Sequence, residues 1–242
     1  MAIKDLLVHL DGTPEAETRL DVAIALAARH GTHLAALHAV DMPLPVGLTS
    51  EAGGAAIGML MEQLRAEQAQ VAHRQRESFE AKLRREAVAG EWREATFGAA
   101  ETLALHGRYA DLTVLGQPDP ESPDSPAATG LLEAALFGSG RPVLMVPYAG
   151  RPAPIGQRVL VAWNASKEAD RALAGALPLL AGAAEVTVLA VNPRRGIGGH
   201  GDVPAADIAL HLARHGVKAT AAHVVVEDIT EADALLNALA DK

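Results

Sequence analysis

Two stretches of the chain each place a polar residue directly after an apolar run, where it can contact a ligand. The first reads VHLDGTPEAETRL, residues 8–20, and the second reads VAWNASKEADRAL, residues 161–173. Asp11 in the first corresponds to Asn164 in the second. A carboxylate only accepts hydrogen bonds, whereas an amide both donates and accepts them. We therefore predict a repeated polar turn whose two copies differ in hydrogen-bonding chemistry.

A Gly-rich basic segment, RRGIGGHGD at residues 194–202, is a second candidate site. Arg194 and Arg195 supply positive charge, and Gly196 and Gly198 allow a close approach of backbone N–H groups to an anion. The spacing does not match a dinucleotide-binding fingerprint. Two interpretations stay open, an anion-binding loop and a flexible connector between a strand and a helix.

Metal binding and nucleophilic catalysis are not expected. The chain has ten histidines, and His211 and His215 lie four residues apart on one predicted helix face, but no carboxylate is placed to complete a metal site. Ser166 fits a helix N-cap and not the G-x-S-x-G turn of a hydrolase. We predict no metal and no catalytic serine.

The first 148 residues alternate predicted strands with predicted helices. Thr13 is the predicted N-cap of the first helix, and Gly31 lies just past its end. The predicted strands are 5–10, 33–40, 91–97, 111–116 and 142–147. The predicted helices are 14–30, 56–87, 99–109 and 128–137, with a Pro- and acid-rich loop at 117–127. This alternation is typical of an α/β fold with a mostly parallel sheet.

After a Pro- and Gly-rich linker at 148–157 the pattern restarts. The predicted strands are 158–163, 185–191 and 218–226, and the predicted helices are 167–181, 202–215 and 230–240. We therefore predict two domains, 1–148 and 157–242. The second lacks counterparts of the last two strands of the first, which predicts a fragment short by roughly 40–50 residues.

Composition excludes several classes of protein. The formal net charge of −9 argues against nonspecific nucleic-acid binding, which depends on Lys and Arg. The absence of cysteine excludes disulfides and thiolate metal sites. No apolar run of 18 residues and no signal peptide are present, so neither a membrane span nor secretion is expected. We expect a cytoplasmic protein.

The segments LLVHLDGTPEAETRL, LAALHAVD, ADLTVLG and RPVLMVP, in this order and spacing, resemble a universal stress protein domain. The second half resembles another, so the chain is similar to a tandem universal stress protein. The resemblance implies a five-stranded parallel sheet in the order 3-2-1-4-5 in each complete unit. It also implies adenine-nucleotide binding, as ATP or AMP, in one subgroup, pairing of the two repeats into a pseudo-dimer, and homo-oligomers.

The resemblance also implies site residues. The positions that would meet adenine are Asp11 and Asn164, helped by strand-end backbone at Ala39 and Val40, and at Ala190 and Val191. The phosphates would lie on a G-x2-G-x9-G-[ST] loop. Only Gly116 and Gly130 fit that loop in the first copy.

The segment between these two glycines departs from the family motif. It is rich in prolines, which lack an N–H, and in acids, which repel phosphates. We expect no triphosphate in the first copy. The loop of the second copy would lie beyond Lys242.

The resemblance favours a non-catalytic stress-response module for binding or signalling, with any nucleotide held by the second copy. The alternative is a slow nucleotide hydrolase, an ATPase of the same superfold, which rests on analogy between folds alone.

Overall fold

The computed structural model describes residues 2–41, 51–150, 154–193 and 205–240, except the side chains of 51–56. Its contacts divide the chain into two compact units, Ala2–Pro152 and Ala153–Lys242. We call them the N-terminal unit and the C-terminal unit, and each is described by itself. The predicted boundary, with one domain ending at 148 and the next beginning at 157, stays a prediction.

The N-terminal unit contains five parallel strands joined by helices. Its elements are β1 (Asp5–Leu10), α1 (Glu15–His30), β2 (His33–Ala39), α2 (Glu51–Glu86), β3 (Gly90–Ala95), α3 (Ala99–Gly107), β4 (Leu112–Gly116), α4 (Ser125–Glu133), a π-helical turn (Ala134–Gly138) and β5 (Val143–Val146). The strand order is β3-β2-β1-β4-β5, and every neighbouring pair is parallel. The predicted α/β class and the order 3-2-1-4-5 are confirmed.

The central strands are apolar because helices cover both faces of the sheet. In β1 and β2 every residue after the first is buried. Helix α1 turns its buried stripe, which includes Leu20, Ile24 and Ala27, toward the sheet. It ends at Gly31, whose left-handed φ of 60° suits glycine and whose N–H donates to the carbonyl of Ala27. The sequence prediction for this C-terminus is confirmed.

Helix α2 begins at Glu51, five residues before the predicted start at 56. The prediction failed because Gly53 and Gly54 suggested a loop, whereas the surrounding Glu and Ala residues favour a helix. The C-terminal half of α2 packs on the unit. Its Phe79 is buried, and its Lys82 Nζ lies 2.8 Å from Glu17 Oε2 and 2.5 Å from Asp21 Oδ1 of α1.

Helix α4 corrects a second prediction. Residues 125–127 were assigned to the loop at 117–127, but the helix begins at Ser125 and includes Pro126 in its first turn. Proline is well suited to this position, because the first helical N–H groups have no helical partner and its φ is already helical. The prediction therefore placed the start of the helix too late, because it counted Pro126 as a loop residue although this proline lies in the first helical turn.

The C-terminal unit has a smaller sheet. Its elements are β6 (Arg158–Ala162), α5 (Lys167–Leu180), β7 (Glu185–Val191), α6 (Ala206–Arg214), β8 (Ala219–Val224) and α7 (Glu231–Ala240). The three strands are parallel in the order β6-β7-β8, so β6 lies at an edge of the described sheet. The first residues of the predicted helix 202–215 lie outside the described residues. Across the described parts of both units, no helix is long and apolar enough to cross a membrane.

Candidate functional site

Three of the predicted ligand positions of the N-terminal unit lie at one edge of its sheet. Asp11 follows β1, Ala39 ends β2 and Gly116 ends β4. Strand β1 pairs with β2 on one side and with β4 on the other. In open parallel sheets, ligands bind outside the carboxyl ends of the strands where the order reverses, which here is between β1 and β4. The predicted residues therefore lie where this fold forms a crevice.

The carboxylate of Asp11 is occupied by groups of the protein itself. Its Oδ1 accepts from the backbone N–H of Thr13 at 3.1 Å, from the hydroxyl of Thr13 at 2.7 Å and from Nη2 of Arg19 at 2.5 Å. Thr13 was predicted to cap helix α1, but the helix begins at Glu15 without a side-chain cap. That prediction was wrong, because the Thr13 hydroxyl donates to Asp11 and so completes a turn before the helix.

Arg19 fills the crevice between β1 and β4. Although it is charged, it is only 5% exposed. A Cβ on Gly116 would lie 2.2 Å from its Nη1, so any larger residue at this position would require the guanidinium to move. The Arg19 Nε is buried without a hydrogen-bond partner. The side chain therefore acts as an internal plug, held in place by its ion pair with Asp11.

The ion pair determines the protonation of Asp11. Burial alone would raise the pKa of this carboxyl. The charge of Arg19, together with the hydrogen bonds from Thr13 and Arg19, outweighs burial and lowers the pKa from 3.8 to about 2. Asp11 is therefore a carboxylate at neutral pH, and its negative charge is already neutralised inside the protein.

The backbone groups predicted to hold a base are also engaged. The carbonyl of Ala39 accepts from Nε2 of His9 at 2.9 Å, and the N–H of Val40 donates to the carbonyl of Ala95. Burial lowers the pKa of His9, so its ring is neutral at pH 7 and carries its hydrogen on Nε2. Neither predicted backbone contact is free in this unit.

A second buried histidine of the same unit contacts helix α2. His38 Nδ1 lies 3.0 Å from Oε1 of Gln75, a buried residue of α2. The His38 ring stacks on Trp92 with centroids 6.0 Å apart. The strand ends of the N-terminal unit thus carry two sets of contacting side chains, Asp11 with Thr13 and Arg19, and His38 with Gln75 and Trp92.

The proposed phosphate position in the same unit is not a loop. Gly130 lies inside helix α4 and is exposed, and the Thr129 hydroxyl donates to the carbonyl of Ser125. In the interior of a helix the backbone N–H groups are used within the helix and cannot surround an anion. The prediction that Gly130 stands in a phosphate-binding loop is wrong for this reason.

The C-terminal unit contains the same turn as the one at Asp11, but the side chains around it are different. Oδ1 of Asn164 accepts from the N–H of Ser166 at 3.1 Å, the same bond that Asp11 makes to Thr13. The residue between them is left-handed in both turns, Gly12 with φ 83° and Ala165 with φ 59°. Ser166 caps helix α5 as predicted, since its Oγ accepts from Ala169 N–H at 3.1 Å. The two turns therefore have the same local geometry.

The residues that fill the N-terminal strand ends are missing from the C-terminal unit. Asp11 and Asn164 are 153 positions apart, and the same offset relates His9 to Ala162 and Arg19 to Ala172. Along the second strands, the pairs Asp5–His33 and Arg158–Glu185 give an offset of 152. The replacements are His9 by Ala162, Arg19 by Ala172 and His38 by Ala190. All three polar groups become alanine.

This register also corrects the predicted base contacts in the second unit. Ala190 was matched to Ala39, and Val191 to Val40. The strand pairing places Ala190 level with His38, and Val191 level with Ala39. The mismatch arose because the connection from the first strand to the second is one residue shorter in the C-terminal unit. Asn192, just beyond β7, becomes the residue level with Val40.

Arg19, His9 and His38 were not predicted as site residues, although a signal was present. The aligned stretches 8–20 and 161–173 already contained an arginine opposite an alanine and a histidine opposite an alanine. Arg194, Arg195, Gly196 and Gly198 lie outside the described residues. Among the residues that are described, no group of three or more His, Asp or Glu is arranged to hold a metal ion.

Comparison with known proteins identifies the family. The model of the universal stress protein family matches residues 2–139. A solved universal stress protein from Archaeoglobus fulgidus DSM 4304 superposes with a TM-score of 0.64 at 16% identity, covering 98% of this chain and 81% of its own. One from Burkholderia pseudomallei is 29% identical over 60% of this chain and 96% of its own, with a TM-score of 0.43. A search of curated proteins finds no match.

The match over residues 2–139 covers more than half of the chain, so the protein belongs to the universal stress protein family. The similarity to the Archaeoglobus fulgidus protein supports the fold alone.

Proposed function

We propose that this protein is a non-catalytic stress-response module that binds a purine nucleotide in its C-terminal unit, while the N-terminal unit serves as a structural partner. ATP and AMP are the ligands that the family resemblance implies. We further propose that the C-terminal unit is a partial second copy of the N-terminal one. Pairing of the two units and assembly of several copies remain predictions.

One observation carries this proposal. At the same turn, the N-terminal unit has a carboxylate neutralised by the buried Arg19, whereas the C-terminal unit has an exposed Asn164 with Ala172 in place of the arginine. A ligand entering the N-terminal crevice must displace Arg19 and leave the half-buried Asp11 carboxylate without its partner. Breaking a buried ion pair costs about 3–5 kcal/mol, and the partial exposure of Asp11 places this pair at the lower end of that range. The C-terminal unit has no such cost.

The small side chains in the C-terminal unit support the same assignment. Ala162, Ala172 and Ala190 replace two imidazoles and a guanidinium, so the strand ends carry much less side-chain volume. The backbone turn that presents Asn164 is kept, including the left-handed residue Ala165. Retaining this conformation without glycine costs about 1–2 kcal/mol. A turn that is kept despite this strain is consistent with a role in binding.

Equilibrium dialysis of the full chain with labelled ATP and AMP tests the proposal. We expect one bound nucleotide per chain, and a loss of affinity of at least tenfold for Asn164→Leu. Asn237→Leu is the matched control, because Asn237 is an exposed amide on α7. Affinity that is unchanged in Asn164→Leu, or no binding at all, would contradict the proposal. Phosphate release above background would instead favour the hydrolase.

A further inference from the structure

The hydrogen bonds of the C-terminal strand ends restrict the kind of ligand that they can hold. The amide of Asn164 has one acceptor, its oxygen, and two N–H donors on Nδ2. A backbone N–H can only be met by the oxygen, so the 3.1 Å bond from Ser166 N–H to Asn164 fixes which way the amide faces. Its oxygen turns to the backbone, and the Nδ2 donors remain for other partners.

The neighbouring strand ends in the same way. Asn192 follows β7, and its Oδ1 accepts from the N–H of Val226 at 2.9 Å. Its amide orientation is therefore fixed for the same reason. In the described part of the unit, neither Asn164 Nδ2 nor Asn192 Nδ2 has a hydrogen-bond partner. Strands β6 and β7 are parallel neighbours, so both amides lie at the carboxyl edge of one sheet.

The N-terminal unit shows the opposite chemistry at the equivalent turn. Asp11 makes the same bond to the backbone, but a carboxylate has no hydrogen to donate, so its second oxygen can only accept. Asp11 would suit a ligand that donates, such as an amino group. Asn164 suits a ligand that accepts, such as a carbonyl oxygen.

From these contacts we infer that the C-terminal unit selects ligands by their hydrogen-bond acceptors, and that among purine nucleotides it prefers a 6-oxo base to a 6-amino base. The inference rests on the proposed function, since it concerns the same site. Asn164 determines specificity through the Nδ2 donors that face the ligand. Asn192 adds a second pair of donors at the same edge.

The test compares IMP with AMP, which carry an oxygen and an amino group at position 6 of the purine. We expect the full-length protein to bind IMP about tenfold more tightly, as measured by isothermal titration calorimetry. Asn164→Asp keeps the turn, because an aspartate accepts the same backbone bond, and should reverse the preference toward AMP. Asn237→Asp, which adds the same charge on α7, should leave the preference for IMP unchanged.

The outcomes separate this inference from the proposed function. If neither nucleotide binds, the proposed function fails. If both bind and Asn164→Leu weakens both, but AMP binds as well as IMP, the function stands and the donor-based selection is wrong. An Asn164→Asp variant that keeps the wild-type preference for IMP would also overturn the inference.

Discussion

The turn at Asp11 and the turn at Asn164 have the same backbone and different surroundings. In the N-terminal unit, Arg19 reaches back from helix α1, pairs with the turn and closes the crevice over Gly116. In the C-terminal unit, the short side chain of Ala172 cannot reach the turn, and Asn164 is exposed. The comparison shows that one helix residue distinguishes a turn whose side chain is paired within the protein from a turn of the same geometry that is exposed.

The energies of an ion pair and of a hydrogen bond support this difference between the two turns. Displacing Arg19 from the half-buried Asp11 would cost about 3 kcal/mol, which weakens the binding of any ligand in the N-terminal crevice by a factor of roughly 10². A single neutral hydrogen bond to a ligand contributes only about 0.5–1.5 kcal/mol. Several new contacts would be needed to offset the loss of one ion pair, so we expect no ligand in the N-terminal crevice.

The largest expected effect comes from removing the plug. Arg19→Ala leaves the half-buried Asp11 carboxylate without its partner and should lower the free energy of unfolding of the N-terminal unit by about 3 kcal/mol, the lower end of the range for buried ion pairs. The chain has two tryptophans, Trp92 in the N-terminal unit and Trp163 in the C-terminal unit. In a Trp163→Phe background, Trp92 fluorescence during urea unfolding therefore reports on the N-terminal unit.

Two further variants control this measurement. Arg29→Ala removes an exposed arginine from the same helix and should change stability by less than about 0.5 kcal/mol. The double variant Asp11→Asn, Arg19→Ala reproduces the pair Asn164 and Ala172, so it should recover part of the loss. An Arg19→Ala variant as stable as wild type would refute the plug.

A smaller effect is expected from pH. The folded pKa of Asp11 is lowered to about 2, so its contribution is fully present above the unfolded value near 3.8 and is lost as pH falls through about 2. This shift corresponds to roughly 2 kcal/mol. The stability difference between wild type and Asp11→Asn should therefore narrow by roughly this amount between pH 5 and pH 2. The same scan on Asn164→Leu should show no such narrowing in the C-terminal unit.

The smallest expected effect concerns the left-handed residue of the turn. Ala165 has φ 59°, where Gly12 stands in the N-terminal turn. Ala165→Gly relieves strain but gives the unfolded chain more freedom, so we expect a net gain of about 0.5–1 kcal/mol in the C-terminal unit. Ala184→Gly, at an exposed loop position without a positive φ, should instead be slightly destabilising. A loss of stability in Ala165→Gly would show that the turn is not strained.

Much of the fold could be predicted from the sequence. Strands β1 and β7 have the predicted bounds, because continuous apolar runs between turn residues are a strong local signal. The start of α4 was misjudged because proline both breaks and begins helices, and local composition does not separate the two cases. The strand order came from the family resemblance and not from local patterns.

The site was only half predictable, for a different reason. Asp11 and Asn164 follow strands, and local patterns were enough to locate them. The role of Arg19 depends on Gly116, which is 97 positions away along the chain and becomes its neighbour only when β4 pairs with β1. Contacts of this kind cannot be read from spacing, although the arginine-to-alanine replacement between the two stretches indicated where to look.

We propose that the C-terminal unit binds the nucleotide and that the N-terminal unit does not. Hydrogen–deuterium exchange on the full chain, with and without saturating IMP or AMP, distinguishes binding in one unit from binding in the other. We expect slower amide exchange at 164–169 and 190–193 and no change at 11–19 when the nucleotide is bound. Protection at 11–19 with none at 164–169 would contradict this proposal, because the nucleotide would then lie in the N-terminal crevice that Arg19 occupies.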